Sequence, residues 1–152
     1  MSASEGAKNT VSVAEYRQIA EFRHRIREFL HFSEELAREN GIEPQQHQLM
    51  LAVKGLPEGM RPTISSISAR LCLRHHSTVE LANRLVSHGA ITRRASEEDG
   101  REVLLELTAH GEHLLRKLSV MHWQQLQAFG PALSDSLGAI VEQANHTMRH
   151  SA

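Results

Sequence analysis

The segment from residue 63 to residue 108 changes its pattern three times, and this order restricts the possible folds more than any other feature. Its first part places apolar residues at helical spacing, Ile64, Ile67 and Leu71, behind a threonine able to cap a helix, Thr63. A second helical pattern follows, and then two short β-prone segments, residues 91–95 and 103–107. The segment therefore predicts helix, tight turn, helix and a two-stranded hairpin.

The second helix of this segment carries its own start and stop signals. Ser77 and Glu80 have the spacing of a capping box, which predicts a helix start at Ser77, and Gly89 is suited to the left-handed residue that ends a helix. Helical periodicity turns four residues toward the core, namely Val79, Ala82, Leu85 and Val86. It turns four others toward solvent: Thr78, Glu80, Asn83 and Arg84. A helix with such a polar face can enter a DNA major groove.

The two β-prone segments are joined by a polar turn. Asp99-Gly100 is a strong reversal signal, so the pair predicts a β-hairpin. Thr108, directly after the second segment, can cap a further helix. Helix-turn-helix followed by a hairpin is the order of a winged helix-turn-helix.

The run RHHSTVELANRLVSHGAITRR, followed by EEDGR and LLELTAHGEHLL, resembles the recognition helix, wing and next helix of the MarR family of transcription regulators. The flanking helical pattern extends the resemblance to most of the chain. One departure is Cys72, near a turn where related sequences often carry glycine. This residue puts the geometry of the turn in question, and we expect it to be a small, partly buried packing residue.

The resemblance implies a DNA-binding surface. Its residues on or before the second helix are Arg74, His75, His76, Ser77, Thr78, Asn83 and Arg84, and those on the wing are Arg93, Arg94, Asp99 and Arg101. In the family, the carboxylate of the Asp-x-Arg motif orients the arginine for a minor groove, where concentrated negative potential favours it. An Asp-Gly turn beside an arginine also occurs in many ordinary surface hairpins, and the histidine pair has packing of the turn as its alternative role.

The fold class we predict is mainly α with a small β-hairpin wing, flanked by N- and C-terminal dimerisation helices. The expected division is a flexible arm at 1–12, N-terminal helices at 13–57, the winged helix-turn-helix at 58–108 and C-terminal helices at 109–150. The chain of 152 residues is long enough to bury one real core. Gly130-Pro131 predicts an interruption between two C-terminal helices.

Charge is unevenly distributed along the chain. The net charge is −1, but residues 61–101 hold seven arginines against four acids and contribute +3, whereas 1–60 and 102–152 contribute −2 each. Attraction to phosphates can therefore be local, and binding to double-stranded DNA should depend strongly on salt.

The flanking helices carry more apolar surface than the small winged helix-turn-helix can cover. This excess predicts pairing with a second copy of the chain. In the resembling family these helices form a homodimer, which places two recognition helices in successive major grooves of a palindromic site. The family also often responds to a small anionic aromatic effector, whose binding residues the sequence does not identify.

Eleven histidines are many for this length. His110 and His113 lie one turn apart on a predicted helix and are the only metal candidates, since imidazoles at this spacing can share an ion. Some family members sense zinc, but no four-ligand set is evident, and solvated histidines are the favoured interpretation. We predict no cofactor.

No enzyme motif competes with this interpretation, because the sequence has no phosphate-binding glycine loop, nucleophile elbow or His-Glu-x-x-His pair. The polar N-terminus lacks a signal-peptide core, and no stretch is apolar enough to span a membrane, so we expect a cytoplasmic protein. The prediction is a ligand-responsive repressor. The alternatives are a zinc-responsive regulator of the same fold and a winged-helix module that binds a protein.

Overall fold

A computed structural model describes the backbone of residues 10–149 and the side chains of residues 10–146. Five helices and a two-stranded sheet follow one another as α1 (Val13–Glu39), α2 (Pro44–Lys54), α3 (Ile64–Leu71), α4 (His75–Ser87), β1 (Ile91–Ala95), β2 (Val103–Leu107) and α5 (Ala109–Arg149). The mainly helical fold with a small hairpin is as predicted. Most of the predicted arm lies outside the described residues.

The chain packs as two compact units. Unit 1 comprises Met1–Phe32 and Gln124–Ala152, and unit 2 comprises Ser33–Trp123. Both long helices cross the division, α1 after Phe32 and α5 after Trp123. Unit 2 thus holds the end of α1, the start of α5 and every element between them.

The first two helices begin at sequence signals. Ser12 and Glu15 form a reciprocal cap for α1, in which the Ser12 amide donates to the Glu15 carboxylate at 2.7 Å and the Glu15 amide donates to Ser12 Oγ at 3.2 Å. Pro44 occupies the first turn of α2, where its missing amide costs no hydrogen bond. The Glu43 amide donates to the Gln46 side chain at 3.0 Å and completes this start.

The turn between α3 and α4 differs from the prediction in where the second helix begins. Thr63 caps α3 as expected, accepting a hydrogen bond from the Ser66 amide at 3.1 Å. Helix α4 begins at His75 after Arg74, which makes no side-chain cap, so the predicted Ser77–Glu80 capping box is wrong. Cys72 ends α3 in the left-handed conformation with φ 54°. Because the chain reverses at Cys72, α4 can begin at His75, before Ser77, its most evident capping residue.

The hairpin pairs β1 and β2 antiparallel, with Ile91 opposite Leu107 and Ala95 opposite Val103. Its strands have the bounds that the sequence predicted. The Leu105 amide donates to the Pro62 carbonyl at 2.8 Å and joins the hairpin to the segment before α3. Ile91, Leu104 and Leu105 are buried, so the base of the wing belongs to the core.

Helix α5 is continuous through Pro131, which makes the predicted interruption at Gly130-Pro131 wrong. A proline removes one amide donor and crowds one carbonyl, whereas each flanking residue still adds its own helical hydrogen bond. Thr108 begins α5 as predicted: Thr108 Oγ1 accepts from the Gly111 amide at 3.1 Å. Its hydroxyl donates to the Gly89 carbonyl at 2.5 Å, tying α5 to the end of α4.

The core of unit 2 is formed by apolar side chains from each of its elements. The largest of those exposed by less than 2% are Leu49, Met50, Ile67, Leu85, Ile91, Leu105 and Leu118. In unit 1 the large apolar side chains of α1 and α5 are largely exposed, including Tyr16 at 62% and Val141 at 51%. None of the helices described is both long and apolar enough to cross a membrane.

Candidate nucleic-acid interface

Helix α4 presents a polar outer face with a basic end. Arg74, His75, His76, Asn83 and Arg84 are exposed, and Ser77 is half-buried in the first turn. The amides of that turn have no partner within the helix, so this end is electropositive in addition to its side chains. The face therefore suits a polyanion, and it holds six of the seven sequence-predicted residues on or before this helix.

Thr78 is the exception, because it is fully buried. The Ser68 hydroxyl lies 2.8 Å from Thr78 Oγ1, and Thr78 in turn donates to the Arg74 carbonyl at 3.2 Å. The prediction that Thr78 faces solvent is wrong. Its methyl group fits a core position, while its hydroxyl satisfies polar groups between α3 and α4, so it positions the outer face without belonging to it.

The residues of α4 that face the core differ in part from the predicted ones. Its buried residues are Thr78, Leu81, Ala82 and Leu85, a regular i, i+3, i+4, i+7 stripe. Val86, predicted to face the core, is 37% exposed. The sequence could not separate the two stripes because a threonine occupies a core position, while a valine lies outside the core.

The two arginines of β1 have different partners. Arg93 Nη2 contacts Asn83 Oδ1, which links the wing to the outer face of α4. Arg94 Nε donates to Glu106 Oε2 at 3.1 Å, within the hairpin. Successive residues of a strand point to opposite faces. Arg93 is therefore the arginine held beside α4, and the charge of Arg94 is largely offset by Glu106.

The turn of the wing is held by Asp99. The Asp99 carboxylate accepts the backbone amide of Arg101 at 3.0 Å, and the Glu102 amide donates to the Asp99 carbonyl at 2.9 Å. Arg101 is exposed at the tip. The carboxylate thus acts on the backbone that carries Arg101, which is a less direct orientation than the resemblance implied.

The sequence reasoning missed Arg61. Its Nη1 atom lies 2.7 Å from Glu102 Oε2 and 3.3 Å from Glu98 Oε2. The wing from Ser96 to Glu102 contains four acids and one arginine, a net charge of −3. An acidic loop that is expected to approach phosphates requires a counter-charge, and this was the signal in the sequence that could have identified the residue.

The histidines proposed as metal candidates lie on the first turns of α5. His110 and His113 are both exposed. Among the described residues, no group of three or more His, Cys, Asp or Glu side chains is placed to hold a metal ion. Cys72 is exposed rather than partly buried, which corrects that expectation. Its left-handed turn leaves the side chain outside the contact between α3 and α4.

The sequence model of the MarR family matches residues 40–102. None of the curated proteins matches the chain significantly. Among solved structures, AbsC, a MarR family regulator from Streptomyces coelicolor, is 16% identical with a TM-score of 0.71, over 94% of this chain and 97% of that chain. A MarR family protein from Bacillus stearothermophilus is 19% identical with a TM-score of 0.65, over 95% and 98%.

A third solved structure is a point mutant of MepR from S. aureus, bound to an oligodeoxyribonucleotide. It is 18% identical with a TM-score of 0.59, over 93% of this chain and 99% of that chain. At these identities the likeness establishes a shared fold, which extends on both sides of the segment that the family model matches. With a helix-turn-helix and a hairpin at its centre, the chain has the fold of these MarR family regulators, and its residues 40–102 match the sequence model of that family.

Proposed function

We propose that this protein is a sequence-specific DNA-binding regulator that binds a pseudopalindromic operator as a homodimer and represses transcription. The observation that carries the proposal is the set of exposed arginine, histidine and asparagine side chains on and before α4 and on β1, within a MarR-family fold. One solved relative with this fold is bound to an oligodeoxyribonucleotide. The same face of this chain is the surface that has the charge for that ligand.

The major groove is read by α4. We assign Ser77, Asn83 and Arg84 to base edges, and Arg74, His75 and His76 to phosphates near the start of the helix. The Asn83 carbonyl oxygen already contacts Arg93. Asn83 therefore reads bases together with Arg93, chiefly through its amide donors.

The wing contributes affinity more than sequence preference. We assign Arg101, at the tip of the wing, to a minor groove; its turn is held by Asp99. Arg61 offsets two of the acids beside it and lowers the repulsion between the wing and phosphates. Arg94, paired with Glu106, makes a smaller contribution.

Dimerisation is assigned to unit 1. Large apolar side chains of its two helix segments are exposed by more than a third: Val13, Tyr16, Ile19, Leu30, Leu126, Phe129, Leu137 and Val141. A monomeric domain rarely exposes so many, and a second copy has the same apolar surface to offer. The same pairing would set the spacing of two α4 helices on DNA.

Effector control completes the proposal. An open groove within unit 2 is lined by Glu34 and Arg38 of α1, Glu43 of the α1–α2 loop, and Leu81 and Arg84 of α4. A small anionic aromatic held there would engage Arg84, a residue needed for DNA, and so favour release of the operator. The test is whether benzoate-like anions lower operator affinity in the wild type but not in Arg38→Ala.

The zinc-responsive alternative predicts a stoichiometric ion whose removal by a chelator changes operator affinity. The protein-interaction alternative predicts no salt-dependent affinity for duplex DNA. The family generally acts without enzymatic activity, and we assign no catalytic residue.

The decisive experiment selects bound fragments from genomic DNA and measures their affinity by fluorescence anisotropy over a range of salt. Arg101→Ala should weaken all fragments similarly and reduce the slope of log affinity against log salt by about one. Asn83→Ala should change the preference at particular base pairs. Lys117→Ala, which removes an exposed cation of α5, is the matched control. Unchanged binding in both test variants would reject the assigned surface.

A further inference from the structure

Two histidines from different helices are stacked inside unit 2. The rings of His47, on α2, and His122, on α5, have centroids 4.9 Å apart and planes inclined by 17°. His47 is only 2% exposed. A DNA-binding surface does not require this pair.

His122 has hydrogen-bond partners for both ring nitrogens. Nδ1 lies 2.7 Å from the Leu118 carbonyl oxygen, and Nε2 lies 2.7 Å from Ser33 Oγ on α1. A carbonyl only accepts, so Nδ1 carries the hydrogen. Nε2 can then accept from Ser33 in the neutral ring or donate to it in the protonated ring. His122 thereby joins α1 to α5 in either protonation state.

His47 has no such partners. Within residues 10–146, both of its ring nitrogens are buried without a hydrogen-bond partner. Burial, followed by the charge of nearby His122, lowers the pKa of His47 from 6.5 to about 4. A buried imidazole that must remain neutral in the closed structure binds a proton readily only where it becomes hydrated.

The charged groups of the surrounding elements do not offset the preference of buried His47 for its neutral form. Among the side chains that the structure describes, it is the charge of His122 that lowers the pKa of His47 in addition to burial. On α2, residues 44–53 carry no other ionisable side chain, and Lys54 at its end pairs with Glu112. On the elements of unit 2 that surround α2, these ionisable side chains are exposed: Glu35, Arg38, Glu39, Arg70, His75, His76, Glu80, Arg84, Glu106, His110, His113, Arg116 and Lys117. Glu34 is partly buried and pairs with Arg38.

The pair lies where the two long helices enter and leave unit 2. Ser33 is the first residue of the unit, and His122 is followed by its last residue, Trp123. Loss of the stack would release the contact between α2 and this end of α5. We propose that His47 and His122 form a proton-binding site whose occupation opens the contact between α2 and α5 within unit 2 and lowers operator affinity; the second effect rests on the proposed function.

The physical link is that a proton binds the open form in preference to the closed one. The equilibrium constant for opening should then rise about tenfold per pH unit as pH falls from about 6 to 4.5. Operator affinity should fall about fivefold or more between pH 7 and 5.5, once the open form is populated. Exposed His75 and His76 lie on the surface proposed to meet phosphate, so variants must isolate the buried pair.

The experiment measures hydrogen exchange of the α2 amides, corrected for intrinsic rates, and operator affinity, both from pH 7.5 to 5. It compares the wild type with His47→Phe, which retains an aromatic ring without titration, and with His47→Gln in case the larger ring overpacks. His113→Gln, an exposed substitution, is the control. NMR of the imidazole protons in the wild-type protein follows His47 directly and needs no variant.

The expected result is acid-induced opening in the wild type and in His113→Gln, with both His47 variants showing much weaker pH dependence. Equal pH dependence in all four proteins, or an ordinary titration midpoint for His47 in the closed protein, would overturn the proposal. Acid-induced opening without DNA binding at any pH would support the proton site and reject the proposed function instead. DNA binding whose pH dependence is the same with and without His47 would reject the link to the operator.

Discussion

Unit 2 and unit 1 use apolar residues in opposite ways. In unit 2 apolar side chains of five helices and the hairpin meet in one core, and Leu49, Ile67 and Leu118 are fully buried. In unit 1 the apolar residues follow helical stripes just as clearly, yet Tyr16 and Leu137 are 62% and 45% exposed. The same sequence pattern thus gives a self-sufficient core in one unit and an exposed apolar surface in the other. The number of elements available to cover the stripe makes the difference.

The largest effect should come from the core of unit 2. Leu49→Ala removes a fully buried side chain and should lower the free energy of unfolding by about 2–5 kcal/mol. Leu126→Ala, in a side chain that is 38% exposed, is the matched control and should cost far less in the monomer. Urea titration measures both. Similar losses at low protein concentration would contradict the contrast between the units.

The next effect tests whether a second copy covers unit 1. The double substitution Leu137→Glu and Val141→Glu places charges in the exposed stripe and should convert dimers to monomers. Operator affinity should fall about 100-fold, equivalent to about 2.7 kcal/mol, because two half-sites are no longer bound together. Sedimentation and anisotropy measure the two results, with Glu142→Gln as control. A wild-type monomer, or a variant that remains dimeric, would refute this role for unit 1.

A smaller effect is expected for Thr78. Replacing it with valine retains the shape but removes the hydroxyl between Ser68 and the Arg74 carbonyl, which should cost about 1 kcal/mol of stability. Operator affinity should change less than twofold, or by about 0.4 kcal/mol. Ser77→Ala, at the half-buried neighbouring position, is the comparison. If valine lowers affinity without changing the midpoint of thermal unfolding, Thr78 contacts DNA after all.

The smallest effect should be that of Arg61. Its ion pairs with Glu98 and Glu102 are partly exposed and screened by salt, so Arg61→Ala should weaken DNA binding by only a few-fold, about 1 kcal/mol or less. Glu98→Gln should partly restore the affinity of that variant, and Arg61→Lys should retain most of it. If Glu98→Gln does not restore the affinity lost by Arg61→Ala at low salt, Arg61 contacts phosphate directly.

The sequence was most informative where a local physical rule was sufficient. Thr63, Gly89 and Thr108 mark helix ends through groups that lie within a few residues of them, and the structure retains all of these ends. The β1 and β2 bounds follow from β propensity and the Asp99-Gly100 turn. Most of the candidate DNA-binding surface could be predicted because its residues occur on consecutive elements and resemble a known pattern.

The errors arose where a local signal competed with packing. Ser77 is a good capping residue, but α4 begins two residues earlier, because the turn at Cys72 already directs the chain. Pro131 disfavours a helix without ending this one. Thr78 has a polar side chain, yet it is buried, because Ser68 of α3 supplies a hydroxyl partner for its own hydroxyl.

By itself, the sequence determined the order of the elements, most of their ends and the placement of positive charge in residues 61–101, because these depend on neighbours in the chain. Only the tertiary structure decided that Arg61 offsets the acids of the wing, that Thr78 is internal and that His47 meets His122. Each of these contacts joins residues brought together by packing, and their energies depend on burial and distance, which no local pattern specifies.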